Sequence, residues 1–266
     1  MTMAEKFYDL LVARLSQARL EAYERRISQP ADKVDVLAHY LWNTALGQAL
    51  YAPIQVCEVA VRNSLHSALT DLYGTDRWFD PPHGPRLELW QQNAVAAAVN
   101  RLTRLDRRRV QTPVPPPPPP TTGRIVAELH FGFWVGLFND AYDPAVHPLW
   151  RGDLLIRTFP AIPPDEPVTT RNRRVYRNRR ALSVKLNRVL RLRNRVSHHE
   201  PIWYWRDPPI PTLGAQHNEI LELLGWVDPV LRDTAALLDD FPAVYSHGAA
   251  PYRATLDAFI ATLNLP

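Results

Sequence analysis

An all-α fold is predicted for this 266-residue chain by three observations. Apolar residues recur at spacings of three and four, no segment alternates apolar and polar residues as a half-buried strand does, and glycine, proline and capping residues fall at helix-length intervals. Glu5 to Ser28 and Asp32 to Leu50 read as the first two helices, and Ile54 to Leu72 as the third, closed by Gly74 as a left-handed stop. Arg86 to Val110 reads as the fourth, with alanine, the strongest helix former, at Ala94, Ala96, Ala97 and Ala98. Pro113-Val114-Pro115 through Pro120 has almost no backbone donors and no helical freedom, so it is expected to be extended polyproline between helices. Thr122 or Gly123 then starts a helix through Phe138, and Val146 to Phe159 gives another. Thr170 caps a basic helix running to about Ser197, and Asn218 to Trp226, Asp228 to Leu238 and Tyr252 to Leu263 complete the chain.

Composition narrows the class. A hydrophobic share of 46% argues against general disorder. The single cysteine, Cys57, excludes an internal disulfide framework and a multi-cysteine metal site, and its apolar neighbours predict a buried, inert thiol in a reducing compartment, hence the cytoplasm. Residues 1–20 interrupt their apolar content with Glu5, Lys6, Asp9 and Arg14, unlike a signal peptide, and no apolar run approaches the roughly 20 residues of a membrane span. No membrane association is expected.

Charge is uneven rather than large. The net value is +4, yet no acidic residue occurs from Pro167 to His199, a stretch dense in arginine. Arg173, Arg177, Arg180, Lys185, Arg188, Arg191 and Arg195 are the candidate RNA-binding residues, because guanidinium forks suit phosphate oxygens and stack on bases. The competing reading is a solvated helix face whose partners are acids elsewhere in the fold.

The basic helix ends in Arg193-Asn194-Arg195-Val196-Ser197-His198-His199-Glu200. Leu182, Leu186, Val189 and Val196 share one face, and Arg193 falls on that stripe, where a guanidinium must be paired, meet another subunit or enter a cleft. Histidine titrates near neutrality, so His198, or His199 beside it, is a candidate proton-transfer group, and Asn194 can orient a neighbour. Pro201 disfavours helix at Glu200 and closes the segment. Residues five apart on a regular helix diverge by about 140°. Arg193 and His198 therefore need either local unwinding or a second helix to act on one phosphate. His198, His199 and Glu200 diverge too widely to chelate one ion, no HExxH or cysteine pair is present, and no nucleotide-binding loop appears, so no metal and no cofactor is expected.

Arg193, Asn194 and His198 match RNxxxH, a form of the Arg-x(4 to 6)-His motif, and the stretch to Ile202 resembles the Abi-like (abortive infection) branch of the HEPN ribonuclease superfamily. Two further blocks resemble the same branch in the same order. They are Glu58-Val59-Ala60-Val61-Arg62-Asn63 running on to Tyr73-Gly74 and Trp78-Phe79, and Phe131-Gly132-Phe133-Trp134 with Leu137 and Phe138. The resemblance implies a HEPN-like helical bundle with additional helices and a polyproline loop. It also implies a metal-independent endoribonuclease leaving a 2′,3′-cyclic phosphate, a homodimer with a composite active site, and a role as a toxin or anti-phage effector, with an antitoxin or inhibitor protein as a further partner. Because the blocks lie on both sides of the proline run, one domain over 1–266 interrupted at 113–120 is preferred to two units of about 110 and 145 residues, though a linker there, or a binding site for a partner, stays open.

For catalysis the chemistry assigns His198 as general acid/base, Arg193 as phosphate clamp and Asn194 as the orienting residue, with His199 as the alternative to His198. Glu58 and Arg62 read as an i, i+4 pair supporting the fold, and the spacing of His66 from Arg62 is too short for the motif. Phe131, Phe133, Trp134, Trp203, Tyr204 and Trp205 read as core or interface rather than base platforms, with stacking of an RNA base on Trp203 or Trp205, which directly follow the motif, left open. A non-catalytic RNA-binding protein and a helical interaction protein meeting an acidic partner are the other function classes.

Overall fold

The computed structural model describes residues 2–27, 31–109, 118–165 and 177–264, and among them the chain is all helical. The helices are α1 (Met3–Leu15), α2 (Gln17–Glu24), α3 (Lys33–Tyr73), α4 (Leu89–Arg109), α5 (Thr122–Glu128), α6 (Phe131–Gly136), α7 (Leu154–Thr158), α8 (Arg179–Ser197), α9 (Leu213–Val227), α10 (Pro229–Ala236), α11 (Phe241–His247) and α12 (Ala250–Thr262). A 3-10 turn at Asp140–Tyr142 and an isolated bridge between Asp207 and Ile210 are the other regular features. The predicted polyproline run at 113–117 and the predicted Thr170 cap lie outside the described residues.

Several helices differ from the sequence expectation for identifiable reasons. The predicted helix over residues 5–28 is two, because Ser16 adopts φ 73 and its N–H closes α1 on the Val12 carbonyl. The predicted helices ending at Leu50 and starting at Ile54 are one, since α3 runs 41 residues with Pro53 inside. Proline in a helix interior costs about 3 kcal/mol, but burial of Leu46, Leu50 and Ile54 holds the segment helical. Leu129 and His130 are extended and divide the helix predicted through Phe138 into α5 and α6. Of the helix expected from Val146 to Phe159 only α7 forms; Gly152 sits at φ 56, and the Asp143 carbonyl takes the N–H groups of Val146 and His147 in turns. Pro242 starts α11, which the sequence reading lacked, because proline fits the first helical turn. Gly74, at φ 69, is the left-handed stop predicted for α3.

The chain forms two compact units. The first comprises Met1–Gln55, Arg191–Ile220 and Ala235–Pro266. Its core gathers Tyr8, Leu20, Tyr23, Val34, Leu37, Leu256 and Ile260, with Phe7 and Phe259 meeting edge to face at 5.9 Å. Arg253 of α12 reaches Asp32 at 2.9 Å and Asp35 at 2.6 Å, fastening that helix at the start of α3.

The second unit comprises Val56–Leu190 and Leu221–Thr234. Phe131, Phe133, Trp134, Leu137 and Phe138 are all fully buried in it, the core role read for the aromatic block. Trp134 packs edge-on against Trp78 at 6.1 Å and against Phe133 at 5.2 Å. The Trp90 ring lies so close to Gly136 that an added Cβ would meet it at 2.6 Å, so a larger residue there would require the ring to shift. Burial pushes the Cys57 thiol up to about 12, as expected of an inert core cysteine.

Candidate functional site

Of the apolar stripe that predicts helix α8, Leu182, Leu186 and Val189 are buried, and so is Leu192 beside it. Arg193 and Val196, the rest of the predicted stripe, are half-buried, and Asn194 and His198 are exposed. The helix stays regular to its end, for the His198 N–H donates to the Asn194 carbonyl at 2.9 Å. Unwinding thus begins only after His198, and the route that would turn His198 toward Arg193 by early unwinding is not taken. Arg193 instead bends toward the motif's second residue, its Nη1 donating to Asn194 Oδ1 at 3.4 Å. Asn194 and His198 are four residues apart, about 40° around the helix, whereas Arg193 and His198 are about 140° apart.

His199 has a different role in the backbone. It adopts φ 56, its N–H donates to the Val196 carbonyl at 3.1 Å, and the Glu200 N–H reaches back to the Arg195 carbonyl at 3.0 Å. That pair of bonds is a Schellman stop with His199 in the left-handed position. Arg19 Nη1 donates to the His199 carbonyl at 2.8 Å and fixes the turn from outside.

The segment after the motif is held by one buried amide. Asn43 of α3 donates through Nδ2 to Tyr23 Oη at 3.0 Å and to the Glu200 carbonyl at 3.2 Å, while its Oδ1 accepts from the Ile202 N–H at 2.7 Å. Trp203 stacks on Tyr23 at 5.0 Å, and Arg195 lies over the Trp205 ring at 3.8 Å while pairing with Glu200 at 2.9 Å. Both tryptophans are half-buried and engaged in these internal contacts.

The predicted RNA-binding cations divide sharply. Arg191 makes a forked contact with Asp207 at 2.8 and 3.1 Å, Arg195 is held as above, and Lys185 pairs with Glu222 at 2.6 Å beside the Trp226 ring. Arg188 is 6% exposed and sits among core residues, so its expected surface role does not match its position. Lys185, Arg191 and Arg195 thus each pair with an acid inside the fold, as the competing reading of the charge run anticipates. Arg177 and Arg180 are exposed at the start of α8, where Asn178 Oδ1 accepts the Arg180 N–H at 2.7 Å, and Arg173 lies outside the described residues. The sequence reading missed Arg179, which is buried, donates to the Phe138 carbonyl and pairs with Asp143 at 2.8 Å.

A cavity of about 540 Å³ opens in the first unit between α3 and the end of α8. Tyr40, Gly47, Gln48 and Tyr51 line it from α3, and Ser197 and His199 from the motif. His198 does not line it. The signals that would have found this hollow are Gly47, an isolated glycine inside a predicted helix, and Tyr51 at that helix's end.

Other candidates resolve into structure. Trp78 Nε1 donates to His66 Nδ1 at 3.0 Å, and burial lowers the pKa of His66, so its ring is a neutral acceptor in the second unit. Arg62 donates to Asn63 Oδ1 at 3.2 Å. Among the described residues no group of three or more His, Cys, Asp or Glu is arranged to hold a metal ion, and no helix is long and apolar enough to cross a membrane. Comparison with known protein families, curated proteins and solved structures finds no match to this chain.

Proposed function

We propose that the chain is a metal-independent endoribonuclease of the HEPN type, acting through Arg193, Asn194 and His198. The observation that carries this reading is the hydrogen bond from Arg193 to Asn194 beside an exposed His198 at a regular helix end. It gives each residue the part its chemistry suits. His198 removes the ribose 2′-hydroxyl proton, the 2′-oxygen attacks phosphorus, and the bond to the 5′-oxygen breaks as that oxygen takes a proton. The products are a 2′,3′-cyclic phosphate and a 5′-hydroxyl. Arg193 stabilises the charge on the phosphoryl oxygens, and Asn194 orients the guanidinium. DNA, lacking the 2′-hydroxyl, is resistant.

A homodimer completes the reading. The backbone of α8 directs Arg193 and His198 about 140° apart, so the arginine of one copy and the histidine of the other converge across a two-fold axis. An effector role in abortive infection, and an antitoxin that restrains it, belong to the same proposal. Arg193→Ala and His198→Ala are each expected to abolish cleavage of labelled RNA; cleavage surviving both single changes removes the hypothesis. The internal pairing of Lys185, Arg191 and Arg195 favours a second reading, in which the basic helix is mainly structural and the chain is a helical interaction protein. RNA neither cut nor retained by the wild-type protein would select it.

A further inference from the structure

The cavity beside the motif has a composition that the cleavage chemistry does not use. Gly47 occupies the interior of α3, where glycine is destabilising relative to alanine by roughly 1 kcal/mol. No backbone need explains it, since Gly47 is not among the positive-φ glycines. An added Cβ would meet only Val196 Cγ1, at 3.8 Å, an ordinary contact. The missing side chain therefore leaves room, and the room is the cavity. At its edge Tyr51 is 63% exposed, so its ring is accessible to a flat partner. Tyr40 supplies a second ring, and Gln48 and Ser197 supply donors and acceptors.

We infer that this cavity seats a nucleoside of the RNA substrate, with the base stacked on Tyr51 and its polar edge read by Gln48 and Ser197. The inference rests on the ribonuclease reading and extends it to substrate selection. A volume of about 540 Å³ lies in the ordinary range for small-ligand sites, and mixed aromatic and amide walls suit a planar heterocycle carrying donors and acceptors. Position supports the same ligand. Ser197 and His199 line the cavity and flank His198 in sequence, so the cavity opens within one residue of the motif's histidine along the chain. Single-stranded RNA is the form that can present an unstacked base.

The test uses the full-length protein and adenosine, guanosine, cytidine and uridine as probes, with binding followed by saturation-transfer NMR and titration calorimetry. At least one nucleoside is expected to bind wild type and His198→Ala alike. Tyr51→Ala should weaken that binding by about 5- to 100-fold, the range for loss of one stacking ring, and Tyr51→Phe should preserve it. Gly47→Leu, which places a branched side chain in the cavity and is a good helix former, should weaken it while the circular dichroism of the protein is unchanged. In cleavage assays Tyr51→Ala should also lose the base preference of the wild type. No nucleoside binding, or binding indifferent to both Tyr51→Ala and Gly47→Leu, overturns the inference. If RNA is still cut in a His198-dependent manner in that case, the ribonuclease reading stands without a base site; binding with no cleavage sinks the ribonuclease reading and leaves the nucleoside site.

Discussion

His198 and His199 look interchangeable in sequence and are not so in the structure. His198 ends the regular helix with an exposed ring, whereas His199 takes the left-handed position of the Schellman stop. A β-carbon at φ 56 carries a steric penalty that glycine does not. We predict that His199→Gly raises stability by up to about 1 kcal/mol, read as a higher melting temperature, and leaves RNA cleavage intact. A loss of cleavage with an unaltered melting temperature would transfer the catalytic role to His199. The place of Arg193 on the apolar stripe of α8 was legible because helical periodicity is a local signal. The bend of Arg193 toward Asn194 was not, since backbone direction says nothing of where a long side chain ends.

At the scale of elements, α3 and α8 show what one sequence can and cannot disclose. Buried positions on α8 followed from its periodicity, but the partners of its cations did not, because Asp207 and Glu222 are 16 and 37 residues distant from Arg191 and Lys185. The same blindness hid Asn43, whose buried amide ties α3 to the backbone after the motif across 157 and 159 residues. Asn43→Ala should cost about 1–3 kcal/mol, because the Ile202 N–H loses its acceptor, and denaturant unfolding measures it. An unchanged midpoint would show that the segment is anchored otherwise. His66 provides a pH test within the second unit. Burial lowers its pKa below the ordinary 6.5, so the unfolded chain binds the proton more readily. Its stabilising contribution is complete above pH 6.5 and is lost as the pH falls through the depressed value. Stability should therefore drop on acidification, with a smaller slope in His66→Gln; equal slopes would remove His66 as the cause.

For the whole molecule, the all-helical class was readable from periodicity and from the lack of alternation, because both are short-range signals. The helix ends were less so: Ser16 breaks a continuous pattern without a glycine, and Pro53 sits inside a helix that burial sustains. Association is the property at this scale on which the proposed composite site depends. Mixing Arg193→Ala with His198→Ala should restore cleavage that neither variant has alone, since mixed dimers rebuild one composite site. Failure to restore it would place the whole site in a single chain. The most direct measurement is the fate of end-labelled RNA with purified protein in EDTA. The predicted result is a ladder ending in 2′,3′-cyclic phosphate with wild type, none with Arg193→Ala or His198→Ala, and intact DNA of the same sequence. RNA left whole by the wild-type protein, or cut equally by all three proteins, would contradict the account.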